Sequence, residues 1–215
     1  MLILNRREGK SETPLSEFAE GTLIKIPENN QMVEFYLAKH NYEPGLNGNG
    51  RTLVVRKDTY DDRAWDSGAV NAYASSDLDS WFNSTYKNML DADIRSLIGT
   101  TKIRYTPGNG NNTVGTLERA IFALSIAELG LSSPYANTEG SALPIASSLR
   151  IAYRNGSATT QWTRSPQTSS THVAMCLYSD GGVGFGHCGV DEGSRPTFTL
   201  PSTTLINPDT MEVIA

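Results

Sequence analysis

Short runs of alternating apolar and polar residues, separated by turn residues, dominate the first part of the chain. The runs TLIKIP, MVEFYLAKH and TLVVRKD are separated by Asn29-Asn30 and by the loop GLNGNG. Alternation with a period of two is typical of strands with one buried face, and Asn and Gly favour tight turns. We therefore predict an antiparallel meander of three strands.

The apolar spacing changes to a helical period after residue 75. Ser76 with Asp79 three residues later resembles a capping box, and Asp91 is placed to cap a second, shorter helix that ends at Gly99. The apolar positions that carry the first helical period are Leu78, Trp81, Phe82, Met89 and Leu90. We predict two consecutive helices, with the apolar stripe of the first helix facing the sheet.

The second half of the chain alternates strand-like runs with turn signals. Ser125 and Glu128 form a capping-box pattern in a one-turn helix, and Asn155-Gly156 is a strong tight-turn signal. The strand-like runs are KIRY, RAIFAL, WTRSP, HVAMCLY, VGFGHC, GSRPTFTLP and the terminal MEVIA. Together these patterns predict an α+β domain of antiparallel strands, two helices and a loop-rich C-terminal hairpin.

Composition limits the class of protein. The 215 residues are 38% hydrophobic and 19% charged, which suits one globular domain (21–215) after a lead-in segment (1–20) for oligomerisation or attachment. Lys plus Arg is 18 against 23 for Asp plus Glu, and no segment concentrates the basic residues, so we expect no nucleic-acid partner. No apolar run is long enough to insert into a membrane, and MLILNRREGK is too polar for a signal peptide. We expect synthesis in the cytoplasm and a working place in a virion or outside the cell after release.

Several separated motifs carry a family resemblance. The runs WDSGAVNAYASSDLDSWFNSTYKNMLDADIRSLI, FALSIAELG, RIAYRNGSATTQWTRSP, YSDGG and GSRPTFTLP resemble an uncharacterised domain family found in bacterial and prophage-encoded proteins. That family resembles in turn the C-type-lectin-like fold of formylglycine-generating enzymes and of the variable proteins of diversity-generating retroelements. The chain departs from the family pattern at Gln161, where a second Trp is common, and at Ser194, where a Val is common. The resemblance implies a C-type-lectin-like fold.

In retroelement-diversified proteins of that fold, a stiff frame brackets a face whose side chains vary freely. By this resemblance Trp162 fills the core, Arg164 and Arg195 tie loops to backbone carbonyls, and Pro166 and Pro196 fix the chain direction. The stretch between the brackets then forms the binding face of a non-enzymatic adhesin, which contacts a host cell-surface protein or glycan. The residues predicted to bind the ligand are Gln161, Thr163, Gln167, Thr171, Cys176, Tyr178, Phe185, His187, Asp191 and Glu192.

The outward direction of these side chains depends on the hairpin register. A two-residue turn at Asp180-Gly181 places Cys176 opposite Phe185 and turns both outward together with Tyr178. The same pattern is equally typical of ordinary half-buried strand residues, so both interpretations stay open.

Enzymatic and metal-binding alternatives use the same stretch. Cys176 with a histidine could make an activated thiolate, either in a cysteine-dependent hydrolase or in an enzyme of the formylglycine-generating type, but no orienting group or metal-binding cysteine pair accompanies it. Zinc on His172, Cys176, His187 and Cys188 is disfavoured because adjacent strand residues point to opposite faces. The calcium tripeptides of C-type lectins are absent, and two cysteines do not make a disulfide framework. We expect no metal and no cofactor.

Overall fold

The computed structural model describes residues 12–215, and this part of the chain is mostly β, with 38% in strands and 16% helical. The strands are β1 (Thr13–Pro14), β2 (Leu23–Glu28), β3 (Gln31–His40), β4 (Arg51–Arg56), β5 (Asp62–Ala64), β6 (Thr101–Tyr105), β7 (Gly115–Arg119), β8 (Ile121–Phe122), β9 (Ala152–Arg154), β10 (Ser157–Thr159), β11 (Gln161–Pro166), β12 (Val173–Leu177), β13 (Val183–His187), β14 (Asp191–Gly193), β15 (Thr197–Pro201), β16 (Leu205–Ile206) and β17 (Val213–Ile214).

The first five-stranded sheet contains the predicted meander. Its order is β2-β3-β4-β15-β8, and every neighbouring pair is antiparallel. Asn29 and Asn30 take the left-handed conformation, with φ of 50° and 60°, at the turn between β2 and β3. The prediction of three antiparallel strands is therefore confirmed.

The second five-stranded sheet is built around the WTRSP motif. Its order is β13-β12-β11-β14-β5, and β11 pairs with β14 in parallel through Gln161 and Gly193. Every residue of β11 is buried. Trp162 is only 2% exposed, and its indole N–H donates to the Arg63 carbonyl at 2.9 Å, which confirms its place in the core.

Three smaller sheets complete the fold, with the orders β1-β16-β17, β6-β7 and β10-β9. Through the first of them, the described part of the predicted lead-in segment packs on the domain. Leu15 is fully buried, and its N–H donates to the Thr204 carbonyl at 2.7 Å. The rest of the lead-in segment, 1–11, lies outside the described residues.

The helices are short. They are α1 (Pro44–Asn47), α2 (Asp77–Trp81), α3 (Lys87–Met89) and α4 (Ala92–Leu97), with a wide helical turn over Phe82–Tyr86 and 3₁₀ turns at Leu15–Glu17, Tyr73–Ser75 and Ala146–Leu149. Ser76 accepts the Asp79 N–H at 3.1 Å and Asp91 accepts the Asp93 N–H at 3.0 Å, so both predicted N-caps are confirmed. No helix within residues 12–215 is long and apolar enough to cross a membrane.

Gly99 has a different role from the predicted left-handed cap. Gly99 is not among the residues with positive φ, and Ile98 already leaves α4 in an extended conformation. A Cβ on Gly99 would come within 2.9 Å of the Arg51 guanidinium. The close approach of Arg51 therefore explains a glycine at this position.

The expected α+β, C-type-lectin-like architecture is wrong. Strands outweigh helices by more than two to one, and the helical stripe that begins at Leu78 belongs to several short helical turns. One continuous cluster of buried apolar residues includes Phe35 and Phe198 of the first sheet, Trp162 and Met175 of the second, and Leu78 of α2. The core is therefore built chiefly by strands, and the short helices cover it.

A buried polar network holds β11 to its surroundings. Arg164 is fully buried and donates to the carbonyls of Arg104 and Ala123 and to the Glu128 carboxylate at 2.6 Å. The Glu139 carboxylate accepts from Ser165, and burial raises the pKa of Glu139 while Arg164 opposes this shift. The predicted tie between Arg164 and backbone carbonyls is confirmed, with an ion pair in addition.

Candidate functional site

A groove of about 630 Å³ opens on the surface between three segments that are distant in the chain. One wall is the turn side of β2 and β3, from Lys25 and Met32–Glu34, and the opposite wall is the β9–β10 hairpin at 153–156. The segment 56–60, which begins at the last residue of β4, forms the floor. Ligand pockets of proteins have volumes of about 300–1,000 Å³, so the groove is large enough for a small ligand. We refer to this feature as the groove.

The hairpin wall presents an exposed aromatic ring on a fixed backbone. Asn155 and Gly156 have φ of 52° and 82°, so the predicted tight turn is confirmed with both central residues at positive φ, as a type I′ turn requires. The Tyr153 N–H donates to Asp58 Oδ1 at 3.1 Å, and the Tyr153 carbonyl accepts the Thr59 N–H at 3.2 Å. The Tyr153 side chain remains 47% exposed. The hairpin therefore holds Tyr153 in place while its ring stays accessible.

Two arginines fix the floor of the groove. Arg195 of the GSRP motif donates to the carbonyls of Arg56 at 2.7 Å and Lys57 at 2.6 Å. Arg56 in turn donates to the carbonyls of Asp58 at 2.9 Å and Thr59 at 2.8 Å. The whole segment is thus tied by guanidinium groups, each of which bonds to more than one carbonyl.

Arg195 is a buried cation surrounded by neutral partners. Besides the two floor carbonyls it donates to the Leu149 carbonyl at 2.5 Å and to Gln161 Oε1 at 3.1 Å. Burial lowers the pKa of Arg195 to about 10, so the side chain stays protonated at neutral pH. The predicted tie between Arg195 and backbone carbonyls is confirmed, and it connects the GSRP motif to the groove.

The cations along the groove lie beside acidic groups. Lys57 Nζ lies 2.6 Å from the Glu34 carboxylate, and Arg154 pairs with Asp62. Lys25 is the direct cross-strand neighbour of Glu34. Since each named cation has an acidic neighbour, the groove presents hydrogen-bonding groups without a strong field of either sign.

An aromatic cluster supports the inner end of the floor. The Tyr60 ring lies 5.4 Å from the Trp81 ring and 5.6 Å from the Tyr86 ring, centroid to centroid. The Tyr60 hydroxyl accepts a hydrogen bond from Asn29 at 3.1 Å. Tyr60 is partly exposed, so one part of its ring packs in the cluster while another part faces the groove.

Some of the residues predicted to bind ligand belong to the interior. Gln161 is 3% exposed, and its amide donates to the Leu149 and Arg150 carbonyls at 3.2 and 3.0 Å. Thr163 is fully buried and donates to the Met175 carbonyl at 2.8 Å, and Cys176 is 1% exposed. The prediction that these three side chains face outward is wrong, because β11 and β12 lie inside the sheet with both faces covered.

The predicted hairpin register is also wrong. The loop between β12 and β13 contains three residues between the paired Tyr178 and Gly182, and it places Met175 opposite Phe185. A Cβ on Gly184 would lie 2.5 Å from the Tyr178 ring, so Tyr178 covers the face of Gly184. Since successive strand residues point to opposite faces, Phe185 points to the other face. The two exposed aromatic rings therefore do not share one binding face.

The remaining predicted ligand-binding residues are wholly or partly accessible. Phe185 is 52% exposed and Tyr178 is 44% exposed. His187 and Asp191 are exposed, whereas Gln167, Thr171 and Glu192 are partly buried. The His187 ring stacks on the His172 ring with centroids 6.5 Å apart, which brings one further exposed histidine beside the predicted set.

The cysteines are poorly suited to nucleophilic chemistry. Cys176 and Cys188 are buried free thiols. Burial raises the pKa of each thiol to about 12, with added repulsion from Glu192 for Cys176 and from Asp66 for Cys188. Thiolates are the reactive form, so both groups are inert at neutral pH. Across residues 12–215, no group of three or more His, Cys, Asp or Glu side chains is arranged to hold a metal ion.

Sequence reasoning missed two parts of this arrangement. Asn71 is fully buried and donates to the carbonyls of Gln167, Ser170 and Val173, so it holds the loop before β12, and no local pattern indicates this role. The groove was missed as well, although the Asn155-Gly156 turn signal lies beside Tyr153. An aromatic residue two positions before a tight turn was the sequence signal that could have indicated a binding surface at this hairpin.

The fold and the groove define a mostly-β domain in which a motif arginine braces an open, polar, aromatic-walled groove. The chain belongs to the family described as a domain of unknown function, DUF6273, whose profile matches residues 49–202. The matched region includes the floor of the groove, the β9–β10 hairpin and Arg195. No curated protein and no solved structure matches the chain.

Proposed function

We propose that this protein is a non-enzymatic ligand-binding module and that the groove binds a neutral glycan. The observation that carries the proposal is the exposed Tyr153 ring on the hairpin wall of a groove whose cations lie beside acidic groups. An aromatic ring offers an apolar face to the C–H groups of a sugar, and its hydroxyl stays available to water or ligand. Binding residues are commonly placed on loops and turns held by a rigid scaffold.

The polar groups around the ring suit hydroxyl groups. The Lys57–Glu34 pair is partly exposed, so each member keeps donor or acceptor capacity toward a ligand. Asp58 uses one carboxylate oxygen for the Tyr153 N–H, and its other acceptor sites are available for a sugar hydroxyl. An anionic ligand would instead have to compete with Glu34 for Lys57 or with Asp62 for Arg154.

The rigidity of the floor favours binding without rearrangement. Arg195 and Arg56 hold the carbonyls of the segment 56–59 in place before any ligand arrives. A preformed site loses less conformational entropy on binding than a flexible one. This arrangement supports a recognition role for the groove.

The setting that we propose is an adhesin, carried on a virion or released from the cell, that binds a host cell-surface glycan. The resemblance of the WTRSP and GSRP motifs to a prophage-encoded family supports this setting. Diversification by a retroelement is a finer proposal, which would act on exposed hairpin residues and which a neighbouring reverse-transcriptase gene would support. The enzymatic alternative depends on Cys176, whose raised pKa disfavours a thiolate.

The test compares two tyrosines of nearly equal exposure. Tyr153 on the groove is 47% exposed and Tyr135, outside the groove, is 48% exposed. Wild type is screened on a neutral-glycan array, and its best ligand is then titrated calorimetrically into wild type, Tyr153→Ala and Tyr135→Ala. We expect Tyr153→Ala to weaken binding about tenfold or more, as for an interface hot spot, and Tyr135→Ala to change it little.

Both variants should melt close to wild type because each loses a surface ring. Failure of wild type to bind any neutral glycan would overturn the proposal. So would equal affinities of wild type and Tyr153→Ala for the ligand. Retained binding in Cys176→Ser is expected, whereas loss of function in a well-folded Cys176→Ser protein would favour the enzymatic alternative.

A further inference from the structure

The strand β13 lies at the end of its sheet and has one open edge. In the described part of the chain β12 is its only strand partner. The Tyr178 N–H donates to Gly182 and the Cys188 N–H donates to His172, and these bonds fix the alternation of the antiparallel ladder. Gly184 and Gly186 therefore bond to β12, while the N–H groups of Val183, Phe185 and His187 point to the open edge.

The strand lacks the charged residues and the proline that often protect an open edge. Natural edge strands are commonly blocked by Lys, by Pro, by bulges or by a covering loop. Val183–His187 reads VGFGH and has no Lys, Arg, Asp, Glu or Pro. Its central residue, Phe185, is 52% exposed. An unblocked edge with an exposed aromatic ring is typical of a site for pairing with another strand.

The two glycines of the strand leave room for aromatic rings of the same chain on the face opposite Phe185. A Cβ on Gly184 would lie 2.5 Å from the Tyr178 ring, and a Cβ on Gly186 would lie 2.8 Å from the Trp162 ring. These rings cover the glycines from within the same chain. That face of the strand is therefore already covered, whereas Phe185, opposite Met175 on the other face, remains 52% exposed.

We propose that a second copy of this chain pairs antiparallel along the open edge, with a two-fold axis at Phe185. The outward-pointing residues 183, 185 and 187 are evenly spaced about Phe185, so the outward N–H groups of one copy can face the outward carbonyls of the other. In this register Phe185 exchanges both backbone bonds with the second copy's Phe185, and the His187 N–H donates to the second copy's Val183 carbonyl. The His187 carbonyl already accepts the Val190 N–H at 3.0 Å.

The two Phe185 rings become direct cross-strand neighbours on one face of a continuous sheet. Aromatic cross-strand pairs are among the stabilising pairs in antiparallel sheets. No Asp, Glu, Lys or Arg lies within the strand, and His187 faces the second copy's Val183, so the pairing places no like charges directly opposite each other. Another extended polypeptide could also use the edge, but only a second copy provides this symmetric match. The inference is independent of the proposed glycan site.

Cysteine cross-linking tests the register. Directly opposed residues in a hydrogen-bonded antiparallel pair have Cα atoms about 5.5 Å apart, which is suitable for a disulfide. Phe185→Cys should therefore form a covalent dimer under mild oxidation. Val183→Cys should not, because the two copies of residue 183 lie about 14 Å apart along the strands at about 3.4 Å per residue. The buried native thiols do not compete, since burial raises the pKa of Cys176 and Cys188 to about 12.

A second measurement uses the wild-type chain. Light scattering coupled to size-exclusion chromatography should give a dimer at high micromolar concentration. Phe185→Pro should give a monomer with an unchanged fold, because Pro removes only the outward N–H. Tyr135→Lys, another substitution of an exposed aromatic residue, should remain dimeric. A monomeric wild type, or equal cross-linking of the Phe185→Cys and Val183→Cys variants, would overturn the proposal, and neither result would affect glycan binding by the groove.

Discussion

Two buried arginines connect the motif strands of this fold to backbone carbonyls of distant segments. Arg164 and Arg195 bond to backbone carbonyls, as the family resemblance implies, and Arg164 also pairs with Glu128. Removing one partner of a buried ion pair commonly costs about 3–5 kcal/mol because the other charge is left uncompensated. Glu128 is recognisable from its capping-box spacing with Ser125, and their reciprocal bonds are present. Glu139 lies in a loop where nothing in the sequence distinguishes a buried acid from an exposed one.

Asp79 gives a pH-dependent prediction at the scale of one residue. Burial raises the pKa of Asp79 from 3.8 to about 6, although the hydrogen bond and charge of Arg119 oppose this shift. The folded state therefore takes up a proton at higher pH than the unfolded state, and the charged carboxylate destabilises the fold at neutral pH. The free energy of unfolding of wild type, relative to Asp79→Asn, should rise by about 1–3 kcal/mol as the pH falls from neutral to about 4.

Chemical denaturation of both proteins at the two pH values measures this difference. Other titrating groups are common to both proteins and cancel in the comparison. A relative stability of wild type that falls with decreasing pH would contradict the prediction and would mean that the Arg119 ion pair outweighs the cost of burial.

The inward direction of Gln161 and Thr163 could not be predicted from the local pattern. A strand buried on both faces shows no alternation of polar and apolar residues, so its polar side chains look as exposed as those of a surface strand. WTRSP is such a strand, and its polar groups bond to carbonyls instead of to water. The exposure of Tyr178 and Phe185 was predicted, and it is confirmed.

At the scale of elements, the hairpin between β12 and β13 shows where sequence reasoning reaches its limit. The loop SDGG contains two glycines, and a turn around either of them fits the flanking strands. Gly181 takes φ of 82° in a three-residue loop, which shifts the pairing by one residue from the predicted register. A shift of one residue turns every side chain to the other face, so Phe185 leaves the face of Cys176. The meander β2-β3-β4 was predictable because the alternation in each strand fixes which face is buried.

The Gly184 position gives a prediction about this hairpin. Gly184→Ala should destabilise the protein by about 1–3 kcal/mol. The new Cβ would lie 2.5 Å from the Tyr178 ring, so the ring must move away. In a Tyr178→Ser background the same substitution should be close to neutral, because the ring is gone and Ala favours strand geometry over Gly. Thermal unfolding of the four proteins completes a double-mutant cycle. Equal costs in both backgrounds would show that the Tyr178 ring does not contact Gly184.

At the scale of the whole molecule, the site depends on contacts that are distant in the sequence. The groove combines 25–34, 56–60 and 153–156, and β15 joins β4 to β8 across the first sheet. Local periodicity predicts strands but not which distant strands pair, so neither the two five-stranded sheets nor the groove could be predicted. The C-type-lectin-like expectation was wrong because it rested on short motifs, and short motifs do not determine how sheets are arranged.

The groove and the open edge of β13 together predict how binding depends on the number of sites. A dimer formed through β13 carries two grooves, and two linked sites bind a surface of many glycans far more tightly than one site does.

Phe185→Pro should bind a soluble monovalent glycan with the wild-type affinity. On a densely coated glycan surface it should dissociate about 100-fold faster or more, because it is monomeric. Calorimetry measures the affinity for the soluble glycan, and surface plasmon resonance measures dissociation from the dense surface. Tyr153→Ala is the control variant, which should bind more weakly in both measurements. Equal dissociation of wild type and Phe185→Pro from the dense surface would contradict the prediction, and loss of soluble binding in Phe185→Pro would show that the edge and the groove are not independent.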